Sequence, residues 1–131
     1  MVVFLLALTG CSQNNKVENK NTEDLFDSLL LELRRGTIIL SVLSQLKSSQ
    51  YGYSLVMLLE EKGIPVEAGT LYPLLRRLEK QNLLESNWDV GAGKPRKYYK
   101  LSENGREIYD KLCEHWFKMV ENMDNILRSE E

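Results

Sequence analysis

Residues 69–79 read GTLYPLLRRLE, and residues 91–99 read GAGKPRKYY. In the first segment Leu71, Leu74, Leu75 and Leu78 recur at helical spacing, which predicts one buried face. Arg76, Arg77, Glu79 and Lys80 are left for solvent or a ligand. Pro73 places the segment near a helix start, because proline has no N–H to donate deeper in. The second segment is a glycine-rich, basic tip between two alternating stretches, Leu84 to Asp89 and Arg96 to Leu101. It predicts a hairpin with a loop of about five residues. A short amphipathic helix followed at once by a basic hairpin restricts the fold to few possibilities.

The flanking sequence narrows it further. Thr22, Glu23 and Asp24 form a helix start, a capping hydroxyl followed by acids in the first turn. Gly36 predicts a break between a short helix and a main first helix over 36–47. A second helix is expected from Tyr51 to Lys62, with Leu55, Leu58 and Leu59 on its apolar face and Gly63 as its stop. Thr70 falls in the N-cap region of the third helix, which Gln81-Asn82 ends. Ser102 caps a last helix over 103–128, whose stripe is Ile108, Leu112, Trp116, Met119, Val120, Met123, Ile126 and Leu127. Three helices, a hairpin and a helix follow the order of a winged helix-turn-helix. The expected class is mainly α with a small β-hairpin, ending in a long C-terminal helix.

Each part of that order has a task at duplex DNA. A short third helix fits the major groove with its N-terminal residues at base edges. Thr70 and Tyr72 offer hydrogen bonds to bases or phosphates. Arg76, one turn on from Tyr72, reaches phosphate or guanine. Lys94, Arg96 and Lys97 sit at the hairpin tip, where the glycines let them follow the backbone or enter the minor groove. The alternatives are ordinary ones: Arg76, Arg77 and Lys80 as a solvated face, Tyr72 as core, and Tyr98 and Tyr99 packing the hairpin.

Charge agrees with one local DNA-facing surface rather than a protein that coats nucleic acid. The 131-residue chain carries a net charge of −2, with an isoelectric point near 5.6. Yet residues 67–100 hold seven Lys/Arg against four Asp/Glu, and residues 101–131 hold four against eight. No nucleophile–base pair and no metal-ligand spacing is visible, and GAGKP lacks the Walker spacing. Neither an enzyme, a cofactor nor a metal site is expected. Cys11 and Cys113 are the two cysteines and His115 the sole histidine, which argues against a disulfide framework or zinc. Cys113 is expected to be a small buried hydrophobe.

The N-terminus points elsewhere. Leu8-Thr9-Gly10-Cys11 resembles the lipobox of bacterial lipoproteins, with Cys11 as the lipidated residue. No Lys or Arg precedes the apolar run, and that run is too short to span a bilayer. Residues 1–22 are expected to be a disordered leader or signal-like segment. Membrane attachment follows only if Cys11 is lipidated.

Taken in order, LRRGTIILSVLSQL (33–46), YGYSL (51–55), GTLYPLLRRLE (69–79) and W...GKPRKYYKLSENG (88–105) resemble the PadR family of bacterial transcriptional regulators. The resemblance covers about residues 29–128, and GTLYP with RKYY at this spacing is specific. It implies a dimeric, cytoplasmic winged-helix repressor with a palindromic operator. Its DNA surface would include Tyr51, Thr70, Tyr72, Lys94, Arg96 and Lys97. Ending after one C-terminal helix resembles the smaller subfamily, in which that helix crosses to a partner subunit. Leu112, Trp116, Met119, Val120 and Met123 then line a homodimer interface or a ligand slot. Trp116 resembles the tryptophan that stacks flat aromatic ligands in the drug-binding branch, though Val120 stands where an acid would suit a cationic drug. The expected organisation is a leader over 1–22, a DNA-binding domain over 23–101 and a dimerisation helix over 102–131. The alternative function is an exported lipoprotein whose helical domain binds a protein.

Overall fold

The computed structural model describes residues 2–91 and 93–129, with side chains from residue 20 onward. The elements in chain order are α1 (Val2–Ser44), β1 (Gln50–Tyr51), α2 (Gly52–Glu61), α3 (Ala68–Lys80), β2 (Leu84–Asp89), β3 (Arg96–Leu101) and α4 (Glu103–Arg128). The chain divides into two units, Met1–Gly36 and Thr37–Glu131. The first consists of α1 residues, and its Leu25, Phe26, Leu29, Leu31 and Leu33 are exposed. Cys11 lies outside the residues whose side chains are described.

Three expectations about the first helix are corrected. Thr22, Glu23 and Asp24 do not start it, since they lie inside α1. Gly36 does not break it, because α1 is helical on both sides of that residue. A lone glycine costs a helix only about 1 kcal/mol relative to alanine, and the leucines and arginines before it are good helix formers. Residues 12–22, expected to lack regular structure, also fall within α1.

The second unit is built on one leucine-rich core. Val42, Leu43 and Leu46 come from the end of α1 and the turn after it. Leu55 and Leu59 come from α2, Leu71, Leu75 and Leu78 from α3, and Leu84, Tyr99 and Leu101 from the sheet. Full burial of such a side chain stabilises by roughly 1.5–3 kcal/mol.

Local chemistry sets the helix ends. Gly63 adopts φ +82°, and Ile64 N–H donates to Leu59 O (2.9 Å) while Gly63 N–H donates to Glu60 O (3.0 Å). That is a left-handed helix stop closed by two reversed bonds. Asn82 does the same for α3 at φ +61°, with Leu83 N–H on Leu78 O (3.0 Å). Ser102 caps α4, its hydroxyl accepting from Gly105 N–H at 2.9 Å. A side chain at Gly105 would collide with the Leu83 carbonyl oxygen, so this glycine lets α4 start hard against the chain entering β2.

The sheet has three antiparallel strands in the order β1-β3-β2, where the sequence predicts a two-stranded hairpin. β2 and β3 pair from Leu84↔Leu101 to Asp89↔Arg96, and β1 adds Gln50↔Tyr99 and Tyr51↔Tyr98. Tyr51 is therefore a strand residue and the N-cap of α2, not part of that helix.

Candidate nucleic-acid interface

Burial of Leu71, Leu75 and Leu78 fixes which side of α3 faces out. Thr70, Pro73, Arg76, Arg77 and Lys80 are all exposed. Thr70 is not a cap. The helix starts earlier, at Ala68, with Glu67 as an N-cap that makes no side-chain bond, so the Thr70 hydroxyl sits on the open first turn. Arg76, Arg77 and Lys80 make no ion pair among the described residues.

Tyr72 is half-buried and packs against the core. Its ring lies on Gly52, where an added Cβ would come within 2.8 Å of Tyr72 Cε1. The missing side chain at residue 52 thus admits the Tyr72 ring against the start of α2. Burial, and to a lesser degree the neighbouring Tyr51 and Tyr99 hydroxyls, hold the Tyr72 pKa above the ordinary tyrosine value. The phenol stays a hydrogen-bond donor at neutral pH.

Tyr51, Tyr98 and Arg96 gather on one face of the sheet. The Tyr51 and Tyr98 rings lie 5.9 Å apart at 44°, and the Arg96 guanidinium stands 5.3 Å from the Tyr51 ring centre. Cation–π contact restrains the arginine while leaving its N–H groups available. Strand β1 made this cluster possible, and two residues are too few for a periodic signal to reveal it.

The hairpin tip turns through Gly93 at φ +85°, and Gly91 N–H donates to Asp89 Oδ1 at 3.0 Å. Lys94 and Arg96 are exposed there. Lys97 is not grouped with them. Successive strand residues point to opposite faces, so Lys97 shares its face with Tyr99 and Leu101. Its Nζ lies 3.3 Å from Glu79 Oε2 and 3.4 Å from Oε1. The Tyr99 and Trp88 ring centres are 5.1 and 5.8 Å away. Burial pulls the ammonium pKa down, but the bond to Glu79 and the charges of Tyr99 and Glu79 outweigh it and hold the pKa above the ordinary lysine value. The period-two pattern of RKYYKL already separates Arg96 from Lys97; the partner Glu79, eighteen residues earlier, was not legible.

The C-terminal stripe forms a separate group. Tyr109, beside the stripe's first residue Ile108, is the last residue of α4 to pack on the core. Leu112, Trp116 and Val120 are 36–37% exposed, and Met119, Met123, Ile126 and Leu127 more so. Phe117 is also exposed and was not singled out from the sequence. Cys113, expected to be buried, is half-buried. Hydrogen bonding to Cys113, with help from burial, pushes the Tyr109 pKa up to about 12.

Among the described residues, no group of His, Cys, Asp and Glu side chains is arranged to hold a metal ion. No helix among them is long and apolar enough to cross a membrane.

Residues 39–111 match the Transcriptional regulator PadR-like family. The chain belongs to that family. A PadR family transcriptional regulator from Eggerthella lenta is 46% identical, with a TM-score of 0.79 over 82% of this chain and 96% of that one. Transcriptional regulator Rv3488 of Mycobacterium tuberculosis is 36% identical over 57% of this chain and 71% of its own length. Bacillus subtilis PadR, solved in complex with operator DNA, is 18% identical with a TM-score of 0.55, over 59% of this chain and 45% of that one. At that identity the likeness is one of fold. The winged-helix architecture and the regulator class expected from the sequence agree with these relatives, and membership of a regulator family agrees with the reading that the chain is not an enzyme.

Proposed function

We propose that this PadR-like regulator binds duplex DNA as a homodimer, at a palindromic operator, and represses transcription until a planar aromatic effector releases it. The observation that carries the reading is the charge on the outer face of α3. Arg76, Arg77 and Lys80 are exposed there, and the one acid in the helix, Glu79, is engaged by Lys97. A short helix with an open first turn and an uncompensated basic face suits the major groove. Operator DNA on the same fold in the Bacillus subtilis protein supports duplex DNA as the partner. Such a regulator works in the cytoplasm.

Thr70 and Arg76 reach base edges or phosphates from α3. Tyr72 donates from α3 and Tyr51 from the aromatic cluster, and Lys94 and Arg96 meet the backbone from the wing. The apolar stripe of α4 supplies the second-copy contact. Two α3 helices about one DNA turn apart, roughly 34 Å, then read the two half-sites. Trp116 and its partner copy offer an apolar, planar slot. An effector that prefers a different tilt of α4 shifts the population away from the DNA-competent dimer, provided its affinity differs between the two states.

A gel shift with duplex DNA from upstream of the protein's own gene, at two salt concentrations with competitor DNA, tests the DNA reading. The expected result is a discrete, competitor-resistant complex that weakens as salt rises. Tyr72→Ala or Arg96→Ala should weaken it about tenfold while the dimer persists. Failure to retain that duplex or any fragment of a genomic pool would sink the reading.

A further inference from the structure

The Lys97–Glu79 ion pair joins two elements of the fold. It connects β3 to α3, the two parts that the proposed function sets on DNA. We infer that Lys97 is a positioning residue: its ammonium braces the wing against α3 and does not itself contact DNA. The inference rests on α3 and the wing being the DNA-facing pair.

Its placement supports this role. On the core-facing side of the sheet, Leu101 and Tyr99 are buried and Lys97 is the next residue outward on β3. Beyond it the wing leaves the leucine core. On α3, Glu79 follows the buried Leu78 and is itself half-buried. The pair therefore sits where apolar packing between helix and wing gives out. About a quarter of the Lys97 side chain and a third of the Glu79 side chain remain exposed. The rings of Trp88 and Tyr99 flank the ammonium, both within 6 Å of it. A lysine held by a carboxylate and two aromatic faces has little freedom to reach out to a phosphate. Geometry, not titration, makes the brace.

Two consequences separate a brace from a phosphate contact. Removing either partner should have the same effect, since each is useless without the other. A phosphate contact would behave asymmetrically: losing Lys97 weakens binding, while losing the Glu79 charge leaves it unchanged or strengthens it. The brace also contributes no released counterion, so its loss leaves the salt slope of binding intact.

The experiment uses full-length wild type, Lys97→Met, Glu79→Gln and the double charge swap Glu79→Lys/Lys97→Glu. The probe is the upstream duplex of the gel-shift experiment, and amide hydrogen exchange of residues 86–98 is measured without DNA. Both single variants should weaken binding about tenfold with an unchanged slope against salt. Both should speed exchange in the wing about tenfold, and the swap should return both readouts to within about threefold of wild type. Loss of binding and a slope reduced by about one in Lys97→Met alone would make Lys97 a phosphate ligand and overturn the inference. Wild-type exchange rates in both single variants would also overturn it, whatever the DNA result. Absence of DNA binding by wild type overturns the proposed function, and the exchange data then decide whether the brace exists.

Discussion

Helices α3 and α4 carry the same kind of apolar stripe but use it differently. In α3, Leu71, Leu75 and Leu78 are wholly buried. In α4 the helix packs on the core as far as Tyr109, and its stripe from Leu112 to Leu127 is open. Sequence periodicity is blind to this difference, because it reports which residues share a face and not what lies against it. The 13 residues of α3 are folded into one chain's core. Much of the 26-residue α4 carries an exposed apolar face that lies outside the leucine core. A run of exposed Trp, Met, Ile and Leu side chains marks an interaction surface, and the proposed second copy would cover it.

The sharpest way to break the comparison is to truncate each stripe in turn. Leu75→Ala should destabilise the folded chain by about 2–5 kcal/mol, since a buried leucine leaves a cavity that its neighbours only partly fill. Denaturant unfolding at several protein concentrations should show the same loss in each. A loss below about 1 kcal/mol would mean that α3 is not the central element of the core.

Met123→Asp on α4 should behave in the opposite way. The fold of the single chain stays intact, while sedimentation shifts from dimer to monomer. Wild-type Tm should rise with protein concentration, because association stabilises the folded state by about 2.7 kcal/mol at a hundredfold excess over Kd. The variant should lose that dependence. A wild-type Tm that stays flat over a hundredfold range, with monomeric sedimentation, would remove the proposed interface.

The same contrast marks what was legible in the sequence. Features set by neighbouring residues were readable: Ser102 as the cap of α4, Gly63 and Asn82 as helix stops, and the leucine spacing of α3. Features set by distant chain were not. β1 is strand only because β3 offers it a free edge at Tyr98 and Tyr99. Thr70 has the chemistry of a cap, yet α3 begins at Ala68, ahead of it. Lys97 carries the charge expected of a wing residue; strand alternation sets its face, but the carboxylate that holds it there, Glu79, is distant in sequence. The basic face of α3 was readable because burying three leucines leaves only one way for Arg76 to point. The Tyr51–Arg96–Tyr98 cluster was not, since it depends on β1.

The smallest effect locates the boundary between the covered and open parts of α4. Tyr109 lies at that boundary, with the Lys47 ammonium 5.1 Å from its ring centre. Chiefly through hydrogen bonding to Cys113, its pKa is pushed from 10.0 up to about 12. Below pH 10 the folded and unfolded chains both keep this proton. Between about 10 and 12 the unfolded chain releases it first, so the stability tied to Tyr109 falls as pH rises through that window. Tyr109→Phe abolishes this contribution, and Cys113→Ala, by removing its main cause, reduces it. Both variants should therefore lose Tm less steeply than wild type between pH 10 and 12. The difference arises within one chain, so it should be the same at low and high protein concentration, unlike the effect of Met123→Asp. Parallel Tm–pH curves for wild type and Tyr109→Phe would place Tyr109 on the open part of the stripe and move the boundary toward the start of α4.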